Sequence, residues 1–528
     1  MTERHDSLED GRSGRAPVGL AILVSLGVLA FFVHRFWWTC DDAFITFRYA
    51  KNLAEGRGLS FNPGEAPPVE GYSNFLWTLV LAGFRSAGVS LELAAGVLGA
   101  GCAALLLVLV VRHVARGDAR AASSAVWGGG LTLATLPPVA IWATSGLETM
   151  AFATCLFGLL AALVGRTPRV GIAALCAALA VLLRVDGVLW CGLVLAAVFV
   201  SGPGVFAARA RSVVLVGLAL AATFAAHLVW RHGYYGSWMS NTAAVKGGFS
   251  LLRLERGFDY VVSFLLAAPA FALVPLVALL VLRGGARRAV APMLWVVLGG
   301  CAYAVAVGGD FMAMGRFLVP VAPLVAVLAA MTIGALRAPM ARLAYGGLVV
   351  LVGVAGMFDS LPVPPALRQT FHFRRNSPEA RSEVEQWEFM RLQAEGWATL
   401  GRALGEHAGP GRSLIRGNIG ATGYFSDLFL YDLNGLVIPR VAREAEVKEG
   451  GSPGHDLRVE PSFFLQDRPT YLDAFIRPTW FPIDKGIGAY GRELLDAERV
   501  SLERYPLSPE QGFEEGTELR LLRFQWGD

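Results

Sequence analysis

Long uncharged runs separated by short polar breaks fill the first two thirds of the chain. In the last third, polar and apolar residues alternate as in a water-soluble protein. The apolar runs lie between Pro17 and Met357, whereas Phe358–Asp528 carries charged residues throughout. A helix needs about 20 apolar residues to cross a bilayer, so these runs predict transmembrane helices. We therefore expect a polytopic α-helical membrane protein, with a transmembrane module at 1–357 and a soluble domain at 358–528.

Eleven runs predict membrane spans, starting with a first helix that is retained, because no A-x-A cleavage pattern follows it. The predicted spans are 17–33, 91–111, 121–142, 149–164, 170–183, 187–202, 212–231, 258–282, 289–307, 317–336 and 343–357. The run at 75–84 is too short to span. It predicts a helix lying along the membrane surface.

Basic residues orient these helices. With a cytoplasmic N-terminus, every arginine cluster between spans faces the cytoplasm, as the positive-inside rule requires. The clusters are Arg112, Arg116 and Arg120; Arg166 and Arg169; Arg209 and Arg211; Arg283, Arg287 and Arg288; Arg337 and Arg342. Counting 75–84 as a span would put most of them outside. The first loop (41–88) and the soluble domain are therefore expected on the extracytoplasmic side of a multi-pass protein of the bacterial cytoplasmic (inner) membrane.

The soluble domain is expected to have an α/β fold. Apolar residues recur every three or four positions over 378–407, which predicts an amphipathic helix. Short strands are predicted at Ser413–Arg416, Phe429–Leu433 and Leu519–Phe524, separated by glycine-rich turns. The helix and the strands suggest a small domain set against the membrane.

Composition narrows the range of functions. With 54% hydrophobic and 17% charged residues and a mean hydropathy of +0.50, the chain is not a soluble enzyme. A net charge of +4 is too small for its length to suggest a nucleic-acid partner. No cofactor is indicated: no phosphate-binding loop occurs, and no ligand spacing for a metal is evident, although a divalent metal is left open.

Two adjacent carboxylates, Asp41 and Asp42, follow the first span and begin a segment with helical periodicity. Ionisable groups are costly at a membrane and favour a functional role, although an aspartate at a helix start also serves as a cap. Arg48 lies seven residues after Asp41, on nearly the same face. Such a pair suits activation of a hydroxyl beside a bound phosphate.

Three stretches of the first loop resemble a known family. They are Asp-Asp-Ala-Phe-Ile-Thr-Phe-Arg-Tyr-Ala-Lys-Asn-Leu (41–53), Phe-Asn-Pro-Gly-Glu (61–65) and Val-Glu-Gly-Tyr-Ser-Asn-Phe-Leu-Trp (69–77). They resemble the first external loop of GT-C glycosyltransferases similar to the terminal β-arabinofuranosyltransferases. Further motifs follow in order: Ser-Gly-Leu-Glu-Thr (145–149), Trp-Arg-x-x-Tyr-Tyr-Gly-x-x-x-x-Asn-Thr-x-x-x-Lys (230–246), Gly-Gly-Asp-Phe-Met (308–312), Arg-Phe-Leu-Val-Pro (316–320) and Asp-Leu-Asn-Gly-Leu (432–436).

The resemblance implies a GT-C fold and transfer of a sugar from a polyprenyl-phosphate donor. Asp41 or Asp42 would act as general base on the acceptor or stabilise positive charge at the anomeric carbon. The candidates for the donor phosphate are Arg48, Arg184, Lys246 and Arg316. The candidates for substrate contacts are Tyr72, Asn74, Trp77, Glu148, Asp186, Tyr234, Tyr235, Asn241 and Asp310.

Structural roles stay open for several of these residues. Tryptophan and tyrosine also occur at membrane interfaces without a ligand. The arginines and Lys246 could snorkel to the interface, and Glu148 could favour the start of the next helix.

Three functions remain. The first is a membrane glycosyltransferase that uses a polyprenyl-phosphate sugar, a pentofuranose such as arabinofuranose, and an envelope glycan, glycolipid or protein as acceptor. The second is a transporter or flippase of lipid-linked sugars, which predicts charges near the middle of spans and inverted repeats. The third is a non-catalytic scaffold or glycan-binding protein. Charges at the outer ends of the spans favour the transferase.

Overall fold

Helices form at each of the predicted apolar runs, because a backbone in hydrocarbon must satisfy its hydrogen bonds within its own segment. The computed structural model describes residues 15–62, 64–117, 123–165, 167–246, 250–377, 379–409, 411–446, 451–454, 456–482 and 487–527. The helices up to residue 357 are α1 (Arg15–Arg35), α2 (Asp41–Ala54), α3 (Phe75–Ser86), α4 (Leu91–Gly117), α5 (Ser123–Thr135), α6 (Pro137–Ala143), α7 (Thr149–Leu163), α8 (Val170–Leu183), α9 (Gly187–Ser201), α10 (Phe206–Tyr235), α11 (Asn241–Lys246), α12 (Leu251–Ala267), α13 (Ala270–Val281), α14 (Gly284–Ala306), the 3-10 helix Ala313–Val321, α15 (Ala322–Ala335) and α16 (Pro339–Met357).

The chain is a multi-pass membrane protein, but fewer helices reach full length than the eleven predicted spans. Within the described residues, six helices are long and apolar enough to cross a membrane, and the bent pairs α5–α6 and α12–α13 raise the number to eight. The segments α7, α8 and α9 have 15, 14 and 15 residues. At about 1.5 Å per residue they fall short of the roughly 30 Å of hydrocarbon. By length and composition the count is therefore six to eight.

The first loop folds back on α2. The Tyr49 hydroxyl donates to the Val69 carbonyl at 2.6 Å and accepts from the Gly71 amide at 2.8 Å. The Asn52 amide donates to the Ser60 carbonyl at 2.8 Å. Side chains on one helix thus hold both arms of the loop. The helix α3, with 12 residues, is too short to span, as expected for 75–84.

A mixed five-stranded sheet lies in the C-terminal part. Its strands are β1 (Ser413–Arg416), β2 (Phe429–Asp432), β3 (Tyr471–Pro478), β4 (Val500–Pro506) and β5 (Thr517–Phe524). The order is β2-β1-β3-β5-β4. The first three in this order are parallel, and β5 runs antiparallel to β3 and β4. The three predicted strands correspond to β1, β2 and β5, whereas β3 and β4 were not predicted.

Helices cover this sheet and join it to the membrane part. They are α17 (Pro365–Thr370), α18 (Glu383–His407), α19 (Gly420–Ser426), α20 (Pro439–Glu444) and α21 (Ala489–Asp496), with 3-10 turns at Pro461–Asp467 and Pro509–Gln511. The predicted amphipathic helix is α18. Its start is fixed by a capping box, in which Ser382 and Glu385 satisfy each other's backbone amides.

The sheet domain meets the membrane part where α19 packs on α2. Glycine makes this approach close, because a Cβ atom at Gly420 would overlap the Asp41 carbonyl, and one at Gly423 would crowd the guanidinium of Arg48. Arg48 is fully buried. It donates to the Gly423 carbonyl at 2.9 Å and to the Leu428 carbonyl at 2.7 Å. The guanidinium therefore fastens the two parts together.

We expect Arg48→Met to loosen this junction, because two buried carbonyls lose their donor. An unsatisfied buried acceptor costs about 1–3 kcal/mol, so the free energy of unfolding should fall by roughly 3 kcal/mol. Thermal unfolding and limited proteolysis in detergent measure the change. The matched control is Arg391→Met, which removes a partly exposed arginine paired with Glu388 and Glu395 on α18. Equal effects of the two variants would contradict the role of Arg48.

Candidate active site

Eight of the predicted site residues line one cavity of about 560 Å³ at the end of the helices that carries the sheet domain. This space is termed the helix cavity. The eight residues come from loops and helix ends that are far apart in sequence: Asp42, Tyr72, Asn74, Glu148, Arg184, Asp186, Asp310 and Arg316. The structure thus brings together the polar breaks between the apolar runs.

Arg184 connects three of these breaks. Its Nη1 donates to Glu148 Oε1 at 3.1 Å, and its Nε and Nη2 donate to the carboxylate of Asp186 at 2.8 and 2.9 Å. The Tyr303 hydroxyl also donates to Asp186, at 2.5 Å. The Asn74 amide donates to the other oxygen of Glu148 at 2.9 Å. Charge-assisted bonds of this kind hold a buried guanidinium in one orientation.

Arg316 occupies a second position in the cavity. Its Nε donates to Asp310 Oδ2 at 2.7 Å. The turn between them is held from the sheet domain, since Glu383 at the start of α18 accepts the backbone amide of Met314 at 2.5 Å. Met314 has a positive φ of 53°, a backbone conformation that residues other than glycine adopt at a cost. The partner Arg374 holds Glu383 with two bonds of 2.8 and 2.9 Å.

A third cationic cluster in the helix cavity was not predicted from the sequence. Arg256 donates to both oxygens of Asp456 at 2.7 and 3.1 Å, and Arg253 lies 3.2 Å from the same carboxylate. The two arginines are one turn apart at the start of α12, directly before a predicted span. That spacing was a usable signal, because residues three apart share a helix face. The aspartate gave none, since it lies in a loop of the sheet domain.

The helix cavity therefore contains four arginines and five carboxylates. Each arginine is paired with a carboxylate. Asp42 differs, because its side chain makes no hydrogen bond or ion pair with the residues that the structure describes. An unpaired carboxylate next to this many cations is available to a ligand.

A second cavity, of about 460 Å³, lies between α2, α18 and the sheet. It is termed the domain cavity. Its walls combine amide side chains with aromatic and thioether groups: Asn376, Gln386, Phe389, Met390, Gln393, Trp397, Asn418 and Asn434. It also contains Asp41 and Asp42. The two cavities share Asp42, Ile45, Phe311, Leu436 and Gly454.

The two adjacent aspartates have different surroundings. Asp41 accepts a hydrogen bond from the Ala421 amide at 2.8 Å, at the start of α19. Burial, with a smaller contribution from the neighbouring Asp42, raises the pKa of Asp41 to about 7 against the lowering effect of the Ala421 amide. Asp41 thus belongs to the junction with the sheet domain. Asp42 faces both cavities.

Several predicted site residues hold loops instead of facing the helix cavity. The side chain of Arg48 is used at the domain junction. The indole of Trp77 donates to the Gly146 carbonyl at 2.9 Å, and the amide of Asn241 donates to the Gly435 and Leu436 carbonyls at 2.7 and 2.8 Å. These contacts position residues that do line the cavities.

Two tyrosines brace the first loop. Tyr234 accepts from the Leu59 amide at 2.9 Å, while Tyr235 donates to the Leu59 carbonyl at 3.0 Å and lies 3.1 Å from the Tyr72 hydroxyl. The side chain of Lys246, at the end of α11, lies outside the described part of the structure. Among the described residues, no group of three or more His, Cys, Asp or Glu side chains is suited to a metal ion.

Comparisons with known proteins place this architecture. One family model, described as a domain of unknown function (DUF8728), matches residues 383–507. No curated protein matches the chain significantly in sequence. Among solved structures, ArnT from Cupriavidus metallidurans bound to undecaprenyl phosphate is similar, with 14% identity, a TM-score of 0.56, and coverage of 96% of this chain and 97% of that one.

The same protein in its apo state has 13% identity and a TM-score of 0.56 over 97% of this chain and 98% of its own. Arabinofuranosyltransferase AftD from Mycobacteria has 13% identity and a TM-score of 0.50, over 97% of this chain but 40% of its own. Both proteins are GT-C glycosyltransferases. The predicted GT-C fold, a polytopic helical membrane part with a C-terminal sheet domain, is thereby confirmed.

We expect the buried carboxyl of Asp41 to make stability depend on pH. Its folded-state pKa of about 7 exceeds the ordinary value of 3.8, so the folded protein binds this proton more tightly than the unfolded one. The contribution is fully present below about pH 4 and is lost as the pH rises to about 7. In Asp41→Asn, which keeps an oxygen acceptor for Ala421, this loss should be absent.

The unfolding midpoint in detergent, followed from pH 5 to pH 8, measures the difference between variant and wild type. Asp359→Asn, at an exposed aspartate, serves as the control and should keep the wild-type profile. Parallel profiles for Asp41→Asn and wild type would show that the carboxyl at position 41 is not responsible.

Proposed function

We propose that this protein is a membrane glycosyltransferase that transfers a sugar from a polyprenyl-phosphate donor to an acceptor on the extracytoplasmic side. One observation carries the proposal: Asp42, a carboxylate without an ion-pair partner among the described residues, lies where the helix cavity and the domain cavity meet. A transferase needs two substrates to meet at one base. The similarity to GT-C glycosyltransferases supports the same reaction class.

The helix cavity suits the donor. Its arginines would stabilise the negative charge that grows on the phosphate as it leaves. Its wall also includes apolar residues at helix surfaces: Val188, Leu189, Phe224 and Val307. Leu189 is 61% exposed and Val307 is 41% exposed, so a lipid chain could lie along them in the bilayer. A lipid-linked phosphate, whose charge and hydrocarbon are joined, matches both parts of the cavity.

The domain cavity suits the acceptor. Amide side chains donate to and accept from hydroxyl groups, and Trp397 and Phe389 offer aromatic faces to a sugar ring. An envelope glycan, glycolipid or protein that carries a sugar-accepting group would enter here, beneath the sheet domain. The soluble domain, 358–528, would thereby bind the acceptor, while the transmembrane module, 1–357, would hold the donor.

In the proposed reaction, Asp42 takes the proton of the acceptor hydroxyl. The acceptor oxygen bonds to the anomeric carbon, and the bond from that carbon to the phosphate oxygen breaks with its electron pair going to the phosphate. Arg184, Arg316 and the pair Arg253–Arg256 surround the space for this phosphate. Asp41 is a positioning residue, because it links α2 to α19.

The sugar that we propose is a pentofuranose such as arabinofuranose. This follows from the motifs of the first loop and is supported by the similarity to AftD, an arabinofuranosyltransferase. The proposed location is the bacterial cytoplasmic membrane, with the N-terminus in the cytoplasm and a role in building the cell envelope. The positive-inside distribution of arginines supports that orientation.

We expect Asp42→Asn to abolish most of the transfer while donor binding remains. General base catalysis contributes about 10²–10⁴-fold, so the rate should fall by at least 100-fold. The assay uses purified protein in detergent, radiolabelled polyprenyl-phosphate sugars and envelope extract. The matched control is Asp41→Asn, which should retain more activity than Asp42→Asn because its oxygen still accepts from Ala421.

A larger loss in Asp41→Asn than in Asp42→Asn, with both variants folded, would move the base to Asp41. Binding of a polyprenyl-phosphate sugar without transfer under any condition would contradict the transferase and favour transport of lipid-linked sugars. Lack of binding to any of these lipids would contradict both functions.

We expect neutralising one cation of the helix cavity to weaken donor binding. The double variant Arg316→Gln/Asp310→Asn removes the pair together, so no buried charge is left alone. A charge-assisted hydrogen bond contributes about 1.5–3 kcal/mol, so the KM for the lipid donor should rise by roughly tenfold or more. Arg391→Gln, on the surface of α18, is the control. An unchanged donor KM would exclude Arg316 from the phosphate site.

A further inference from the structure

A third cavity, of about 800 Å³, lies on the other side of α11 from the helix cavity. It is termed the loop cavity, and it is bounded by the first loop, the end of α10 and the edge of the sheet. Neither aspartate of the proposed active site lines it. The short segment around α11 separates the two spaces: Asn241 and Ala244 face the loop cavity, whereas Thr242 and Ala243 face the helix cavity.

Hydrogen bonds fix this partition. The backbone amide of Asn241 donates to the Glu70 carbonyl at 3.0 Å. The Thr242 hydroxyl donates to the Gly71 carbonyl at 2.8 Å. Glu70 itself is held by Arg231 through bonds of 2.6 and 3.2 Å. The wall is thus built into the fold, and the loop cavity is a separate space with its own lining.

The loop cavity contains a carboxyl group that the fold leaves unused. Glu65 is partly buried, and its Oε2 atom is shielded from solvent without a hydrogen-bond partner among the described residues. Buried polar groups are nearly always satisfied, so such an exception calls for a ligand or another specific cause. Burial raises the pKa of this carboxyl to about 7.

Aromatic and proline side chains form the opposite walls of the loop cavity. Phe429 and Tyr431 project from the same face of β2, with ring centroids 5.0 Å apart and planes at 53°. Both rings are partly exposed. Proline residues provide further flat apolar surface: Pro67, Pro68 and Pro439. Rigid apolar faces with a few polar groups between them are typical of ligand pockets.

The edge of the sheet at this place is already closed. β2 is an edge strand, and edge strands can add an extended peptide through their free backbone groups. Here the Asn62 side chain takes that position: its Nδ2 donates to the Leu430 carbonyl at 3.1 Å, and its Oδ1 accepts from the Leu430 amide at 3.0 Å. Strand addition by a peptide is therefore blocked at the centre of β2.

We propose that the loop cavity is a carbohydrate-binding site for a glycan segment. Sugar rings would place their C–H faces on Phe429 and Tyr431, whose ring faces carry partial negative charge, and their hydroxyl groups would donate to Glu65. The exposed guanidinium of Arg443 at the rim adds donors for ring and hydroxyl oxygens. The statement that this glycan segment is part of the acceptor rests on the proposed function. The binding of a glycan in the loop cavity does not.

This site would bind a part of the acceptor that does not react. A polymeric acceptor held in two places gains effective concentration at the second. Long glycans should therefore bind more tightly than short ones, and the difference should depend on the loop cavity. The affinity for a disaccharide, which fills the domain cavity alone, should not depend on the loop cavity.

The test is binding of two hexasaccharides, one of arabinofuranose and one of glucopyranose (maltohexaose), to the full-length protein in detergent by saturation-transfer NMR and titration. We expect at least one of the two hexasaccharides to bind, and we expect Tyr431→Ala and Glu65→Gln each to weaken its binding by at least fivefold. Glu65→Gln should not lower the unfolding midpoint, because its carboxyl has no hydrogen-bond partner to lose and its burial disfavours the charged form. Disaccharide binding should be the same in both variants as in wild type.

The matched control is Trp397→Ala in the domain cavity, which should reduce disaccharide binding. Hexasaccharide binding that is lost in Trp397→Ala but unchanged in Tyr431→Ala and Glu65→Gln would overturn the proposal. Failure of both hexasaccharides to bind, or tight binding of a proline-rich peptide at the loop cavity, would also overturn it. Hexasaccharide binding that depends on Glu65, in a protein without transfer activity, would uphold the site and contradict the proposed function.

Discussion

The buried contact between α2 and α19 is the constraint on which the rest of the structure depends. It links the membrane part to the sheet domain through one guanidinium and one carboxylate from the same helix. Arg48 donates to two carbonyls of the domain, and Asp41 accepts a hydrogen bond from one of its backbone amides. Asp42, between them in sequence, is consequently held at the boundary of the helix cavity and the domain cavity. A rigid scaffold of this kind is what a bound substrate pair requires.

The charges of the helix cavity follow from the same arrangement. Cations in a cavity next to a bilayer are costly unless they are paired. Arg184 pairs with Glu148 of another loop, Arg316 pairs with Asp310 of its own loop, and the two arginines of α12 pair with Asp456 of the sheet domain. The domain supplies Asp456 for the pair on α12 and, through Glu383, the support for the turn of Arg316. The membrane part alone would therefore leave the two arginines of α12 without the carboxylate of Asp456. The charged lining of the helix cavity is therefore a product of the whole chain.

Much of this could be predicted from the sequence, because the strongest signals are local. Apolar runs predicted the long helices of the membrane part, and the periodicity over 378–407 predicted α18 within a few residues. The strands β3 and β4 were missed, since β3 contains two charged residues and a proline and β4 alternates weakly between polar and apolar side chains. The gathering of the motif residues at one end of the helices followed from topology alone.

What the sequence could not provide depends on partners far away along the chain. Arg48 was expected at a phosphate, yet its two terminal nitrogens donate to carbonyls about 375 residues later. Trp77 and Asn241 look like ligand contacts by residue type, but loop carbonyls occupy their donors. Asp456 belongs to the site although nothing near it in the sequence marks it. Residue type suggests chemistry, whereas the neighbours decide whether the group is available for it.

The glycines at 420 and 423 carry a consequence for how such a chain can change over time. A single added methyl group at either position would push α19 away from α2 and disturb the fit of Asp41 and Arg48. Substitutions in the two segments are therefore not independent, although they are nearly 380 residues apart. Among homologous chains the two segments should vary together, and a graft of the sheet domain onto another membrane part should succeed only when α2 is transferred with it.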